Sequence, residues 1–346
     1  MKNLTRMLGI EHPIVLAPLG GEAACAPLVA AVSNAGGLGI LGAAYMTPAR
    51  IAEVIAQIRV LTDKPFGVNL FCPQHWQRDA VREAAFVERI AAYHAELGLP
   101  APQLPPRFEE DFEAQFNVVL KAQVSVFSFT FGDLGREHID ALQSDGTKVW
   151  GTATQVREAV HLAALGVDAI VAQGAEAGAH RGSFLGTRDE GLVGTLALVP
   201  QVVDAVPLPV IAAGGIADAR GVRAVQALGA SAAAAGTAFL LADECPISAA
   251  YRSALQTASE HETVLTRAFS GRWARGLANR FVREMAAADL PDFPIPNALT
   301  RTLRQAAGQA GRPEFLSLWA GQAVPLAKPA PAAQIVQALA QGWLHA

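Results

Sequence analysis

The sequence predicts an α/β fold: a TIM (β/α)8 barrel with an enlarged helical excursion after the third strand and a C-terminal helical extension. Three observations predict it. Eight short apolar runs alternate with stretches of helical period, the rhythm of a parallel sheet covered by helices. No run reads as an edge strand, as a closed barrel requires. The unusual polar and glycine residues gather at the C-terminal ends of the runs, where such a barrel carries its chemistry. With 346 residues, the chain has room for a barrel of ~250 residues and an extension.

Ile14 to Pro18 is the first apolar run, closed by proline and followed by Gly20-Gly21. A helical stretch from Ala26 to Asn34 stops at Gly36-Gly37, and Leu38 to Gly42 is the second strand. Thr47 caps a helix with Pro48 at its first position, running to Leu61. Phe66 to Phe71 is the third strand. Residues 74–121 break the rhythm with two helical patterns, 78–97 and 108–121, joined by a proline-rich connector. Val124 to Gly132 and Lys148 to Ala153 are strands, with a helix at 135–144 between them. A helix over 155–165 ends at Gly166, and the sixth strand runs from Asp168 to Gln173. After a glycine-bearing loop and a helix at 195–205, Pro209 to Gly215 is the seventh strand. Asp218 caps a helix to residue 228, and Ser231 to Phe239 is the eighth strand, interrupted by Gly236-Thr237. The barrel is assigned to 1–245 and a helical extension over the active-site face to 246–346, with helices at 299–308 and 331–342.

Composition excludes several classes. The chain is 51% hydrophobic and 17% charged, a globular balance, and its net charge of −4 argues against nucleic acid or an anionic membrane as partner. Cys25, Cys72 and Cys245 are odd in number and far apart, which fits neither a disulfide framework nor a metal spacing. No stretch reads as a signal peptide or transmembrane helix. A cytoplasmic protein without metal or membrane contact is the expectation.

The chemistry centres on Gln173-Gly-Ala-Glu-Ala-Gly-Ala-His-Arg-Gly182. A buried strand delivers an amide, Gln173, to a loop whose glycines let backbone approach a ligand, and His180 can act there as a base near neutral pH. Glu176 is either a second base or a pin for the loop. Asn69 sits near the end of the third strand and Pro18 at the end of the first. Ala213-Gly-Gly-Ile216 and Ala235-Gly-Thr237 suit a phosphate held by backbone N–H groups, though the same glycines also permit tight turns. Gly37-Leu-Gly-Ile-Leu-Gly42 matches G-x-G-x-x-G but follows a helix and is itself the strand, so it is not a dinucleotide fingerprint.

Taken together, these pieces resemble the nitronate monooxygenase family, formerly 2-nitropropane dioxygenases, in its bacterial flavin class. The resemblance spans the chain. It includes Val32-Ser-Asn-Ala-Gly-Gly-Leu-Gly39, Asn69-Leu-Phe-Cys-Pro73, Ser128-Phe-Thr-Phe-Gly132, the Gln173–Gly182 stretch, Gly271-Arg-Trp-Ala-Arg-Gly276 and Leu316-Ser-Leu-Trp-Ala-Gly321. It implies an FMN-binding barrel that oxidises alkyl nitronates with O2 to a carbonyl compound and nitrite. Asn69, Gln173 and Gly178 would contact the flavin, with Pro18 beside them. Gly214 or Gly215, with Gly236 and Thr237, would hold its phosphate, and His180 would be the base. The partners implied are a small nitronate and O2; a homodimer is a further expectation. An NAD(P)H-fed FMN reductase of enoyl thioesters or quinones on the same barrel stays open as an alternative, as does a flavin-binding protein without turnover.

Four positions depart from the family pattern: Glu22, Ala179 in place of the usual glycine, Phe293 in place of a tyrosine, and Pro296 in place of a glutamine. Leu19, Ala24, Phe131 and Phe293 are expected to wall the substrate pocket. Without the tyrosine hydroxyl, Phe293 suggests a preference for uncharged alkyl nitronates over carboxylate-bearing ones, unless Arg181 or a tail arginine supplies an anion contact.

Overall fold

The computed structural model describes residues 4–344. Eight parallel strands form the barrel: β1 (Ile14–Leu16), β2 (Gly39–Gly42), β3 (Phe66–Phe71), β4 (Val126–Thr130), β5 (Lys148–Ala153), β6 (Ala169–Gln173), β8 (Val210–Ala213) and β9 (Ala232–Ala235). The strand β7 (Ala179–His180) lies outside it. The sheet closes between β1 and β2, where Leu16 N donates to Leu38 O and Leu38 N to Ile14 O, both at 2.9 Å. Closure leaves the barrel sheet without an edge strand among the described residues.

Local chemistry places the elements. The Thr47 hydroxyl accepts from Arg50 N at the start of helix Pro48–Leu61, and the Asp218 carboxylate accepts from Arg220 and Gly221 N at helix Ala219–Ala227. Such caps satisfy N–H groups that the helix itself leaves orphaned. Gly166 ends helix Val156–Leu165 with φ 91°, a left-handed cap that glycine adopts without a Cβ clash. The Gly37–Gly42 run serves packing. A Cβ on Gly39 would lie 2.2 Å from Val29 O, so the helix Ala26–Asn34 rests directly on the strand backbone.

Two apolar layers follow from the alternation of strand side chains. Val15, Leu38, Val126, Trp150, Ile211 and Ala232 fill the inside of the barrel, and a larger cluster lies between the strands and the surrounding helices. The excursion carries helices Ala80–Glu96 and Phe112–Ala122, capped by Asp79 and Asp111. The last helix, Ala332–Ala340, packs against helices Ala26–Asn34 and Ala219–Ala227, completing the outer ring.

Two expectations are corrected. The eighth strand stops at Ala235, because Gly236 turns the chain (φ −109°, ψ −64°) and Thr237–Leu240 is a helical turn. The extension is not purely helical. It contributes β10 (Thr263–Thr266) and β11 (Ala274–Leu277), which form an antiparallel sheet with β7. Ala274 pairs with His180 and Arg275 with Ala179. The expected loop histidine is therefore held by a strand ladder. No helix among the described residues is long and apolar enough to cross a membrane.

Candidate active site

A cavity of about 620 Å³ is lined by C-terminal strand ends and the loops beyond them. Pro18, Asn69, Gln173, Gly178, His180, Gly214, Gly215, Gly236 and Thr237 all line it. Five strands thus bring the nine residues singled out in the sequence to one space.

His180 is half-buried within an aromatic surround. The rings of Phe71, Phe131, Phe293 and Trp319 lie with centroids 5.7–6.1 Å from its own. Its Nε2 lies 2.9 Å from the buried hydroxyl of Ser270. That hydroxyl donates to Arg272 O at 3.1 Å and accepts from Arg272 N at 3.2 Å. With its one hydrogen on the carbonyl, Ser270 Oγ receives the Nε2–H, and Nδ1 is left as the basic nitrogen. Burial pushes the imidazole pKa down to about 3, with a further push from the Arg272 and Arg304 guanidiniums. The ring is neutral at physiological pH, as a proton acceptor requires.

The backbone around it is strained. Ala179 has φ 60° and Phe131 φ 80°, a region costly for residues other than glycine. Ala179 occupies a left-handed position, which a glycine would adopt without strain. Gly178 allows close approach: its Cβ would lie 2.6 Å from Gly321 N, so the extension docks directly on this backbone.

Several polar groups fix the loop. Gln173 Nε2 donates to His180 O at 3.0 Å and its Oε1 accepts from Gly182 N at 2.8 Å, so this amide holds the loop that carries the base. Glu176 accepts from Thr195 N and Thr195 Oγ1 at 2.9 Å, which makes it a loop pin. Arg181 donates to the carbonyls of Gln173, Gly174 and Gly191 and does not line the cavity, so it offers no anion contact. Asn69 Nδ2 donates to Ser128 Oγ at 2.9 Å.

On the opposite side, Gly214 and Gly215 have φ of 110° and 72°. The N–H groups of Gly214, Gly215, Gly236 and Thr237 find no backbone or side-chain acceptor among the described residues. Around Gly236 there is room, its Cβ position meeting nothing nearer than 3.6 Å. Converging free amides at a turn suit an anion.

Sequence reasoning missed other residues. Tyr45, Arg301, Arg304 and Trp319 line the cavity. The Tyr45 hydroxyl is buried without a hydrogen-bond partner. Arg304 donates to Asn297 O and Oδ1 at 2.9 Å, and Arg301 has no hydrogen-bond or ion-pair partner among the described residues. Neither makes an ion pair among the described residues, although the Glu22 carboxylate lines the same cavity and its charge reaches Arg304. The expected wall is also revised: Leu19 lines the cavity, but Ala24 and Phe131 do not, and Phe293 faces a neighbouring cavity. The inference from Phe293 to uncharged substrates loses its basis, because two guanidiniums reach the space.

The family model for nitronate monooxygenase matches residues 1–342 of the chain. The chain belongs to the nitronate monooxygenase family. A probable nitronate monooxygenase of Staphylococcus aureus strain Newman is 43% identical over 337 residues, covering 96% of this chain and 95% of the relative. The fold is similar to that of a nitroalkane oxidase from Streptomyces ansochromogenes, with TM-score 0.90 and 39% identity over 97% of this chain and 96% of that one. FabK from Thermotoga maritima is more distant, with TM-score 0.76 and 32% identity over 98% and 94% of the two chains. The chain is thus an oxidoreductase of this family, on a barrel shared with these neighbours.

Proposed function

We propose that the chain binds FMN and oxidises alkyl nitronates with O2, releasing a carbonyl compound and nitrite. One observation carries this reading: a single cavity joins four free amides on one wall to a neutral, hydrogen-bond-anchored histidine on the other. The residues fit the cofactor. The Gly214–Gly215 and Gly236–Thr237 amides would hold its phosphate, and Pro18, Asn69, Gly178 and the Tyr45 hydroxyl line the space for its ring. A volume of about 620 Å³ accommodates a cofactor-sized ligand. When bound, FMN supplies the electron transfer from substrate to oxygen.

The chain's own residues do the rest. Neutral His180 accepts the α-proton of a nitroalkane on Nδ1, while Ser270 holds Nε2. With a preformed nitronate there is no α-proton to take, and the neutral ring only shapes the space around the anion. Arg301 and Arg304 attract the negative substrate into the cavity, outnumbering the one carboxylate on its lining, Glu22. The aromatic surround excludes water from the imidazole and keeps it unprotonated.

The test is the absorption spectrum of the purified protein, with mass spectrometry of the released cofactor, followed by anaerobic addition of ethyl nitronate. A yellow protein releasing FMN and bleached by the nitronate is expected. A colourless protein that cannot be reconstituted contradicts the reading. Rapid bleaching by NADH with no response to the nitronate would instead favour the reductase.

A further inference from the structure

Phe293 stands between two cavities. Its ring centroid is 6.0 Å from that of His180, which lines the main cavity, and the same ring lines a second cavity of about 470 Å³. Tyr45, Phe71 and Arg301 line both. The partition is therefore one layer of side chains thick.

The second cavity lies beneath the excursion, with aromatic walls at Phe71, Phe108, Phe112 and Phe293. Its acidic residues are each paired, Glu110 with an arginine of the same lining. Glu109 accepts from Trp76 Nε1 at 2.8 Å, Glu110 pairs with Arg107 at 2.6 Å, and Asp111 accepts from Ala114 N at 2.9 Å. Gln115 is likewise committed, donating to Ala44 O and Met46 O. The interior is mixed, with the four phenylalanine rings beside Gln74, Arg107 and Arg301, and it begins one ring away from the proposed proton acceptor. A small nitronate such as ethyl nitronate needs none of this volume, which falls in the range that holds drug-sized ligands.

We propose that the second cavity receives the substituent of the substrate, so that the chain takes nitronates bearing an aryl or long alkyl group. The nitronate carbon sits at His180, and the substituent passes the Tyr45–Phe71–Phe293 partition into the aromatic space. This rests on the nitronate reading above and adds the class of substrate. The bond changes are those of that reaction; the second cavity contributes binding alone. Burial of a phenyl group corresponds to a gain in kcat/KM on the order of 10–100-fold.

The test uses the flavin-loaded protein and two substrates, ethyl nitronate and the nitronate of 1-nitro-2-phenylethane. Ala44 lines the second cavity only, so Ala44→Phe fills it without touching the main one. The expected result is roughly 10–100-fold higher kcat/KM for the aryl substrate in the unaltered protein. Ala44→Phe should remove that advantage and leave flavin content and ethyl nitronate turnover unchanged. Ala44→Leu, a smaller obstruction, should give an intermediate loss and stands in if the larger variant does not fold. Oxidation of ethyl nitronate with rejection of the aryl nitronate overturns the proposal, as does equal sensitivity of both substrates to the fill. Binding of 3-phenylpropionate and propionate, followed by the flavin spectrum, separates this claim from the catalytic one. If neither nitronate is oxidised, the nitronate reading falls. In that case, tighter phenylpropionate binding that Ala44→Phe abolishes still supports the subsite, and equal binding of the two acids overturns it.

Discussion

His180 and Ser270 stand 90 residues apart in the chain and meet at 2.9 Å, Nε2 to Oγ. β11 carries the extension to β7, and the turn before β11 presents Ser270 beneath the imidazole. The position of the base thus depends on the extension docking against the barrel.

Ser270→Ala removes that anchor. The ring then loses one hydrogen bond, worth ~0.5–1.5 kcal/mol, and its fixed tautomer. We expect a roughly tenfold fall in kcat/KM on nitroethane. Flavin content should be unchanged, and Ser270→Thr should restore much of the loss. Steady-state kinetics of the two variants beside the unaltered protein check this.

The depressed pKa of His180 has a signed consequence. The neutral form is the acceptor, and it persists down to about pH 3. Its titration should therefore produce no acid limb in kcat/KM for nitroethane between pH 5 and 8. The stability consequence runs the same way. The unfolded histidine protonates as pH falls below ~6.5 while the folded one does not, so stability is full above that pH and is lost toward about pH 3. A rate profile inflecting near pH 6.5 would show that the ring is solvated in the working enzyme.

Ala179→Gly should stabilise the fold. Alanine at φ 60° costs ~1–2 kcal/mol, and the added chain entropy of glycine returns ~0.4–1 kcal/mol of that. A net gain of roughly 0.5–1 kcal/mol is expected in urea unfolding. A loss of stability would mean that the residue gains more from its methyl group than it pays in strain.

Much of this was legible in the sequence, for identifiable reasons. Helix ends declared themselves through Thr47-Pro48, Asp218 and Gly166, because caps are local chemistry. The barrel strands showed as apolar runs because both of their faces are buried. That the nine site residues share one cavity was legible because they lie at strand ends or on glycine turns. The rest depended on contacts distant in sequence. A two-residue strand such as β7 has no periodicity to read, and the four residues Thr263–Thr266 are too short a run to separate from a helical tail until β11 pairs with them. Arg301 and Arg304 lie on an ordinary helix, and only its docking aims them at the cavity. Gln173 lines the cavity, and only the folded contacts show that both ends of its amide also hold the His180 loop.

The two cavity guanidiniums predict a charge effect. Ethyl nitronate is an anion and nitroethane is neutral. Raising ionic strength should lower kcat/KM for the nitronate and leave nitroethane nearly unaffected, since exposed charges are screened over ~10 Å at 0.1 M salt. Arg301→Met should weaken the salt dependence. Identical salt response for both substrates would remove the arginines from substrate capture.

The most direct measurement is kcat/KM of His180→Asn on nitroethane and on ethyl nitronate, with bound flavin quantified. Asparagine keeps a hydrogen-bonding side chain of similar size but accepts no proton. Loss of a general base costs ~10²–10⁴-fold. The predicted result is normal FMN content, a loss of that size on nitroethane, and a far smaller loss on ethyl nitronate, whose α-proton is already gone. Equal losses on the two substrates would contradict His180 as the base and leave it a positioning group. No loss on either, with flavin still bound, would remove it from the chemistry altogether.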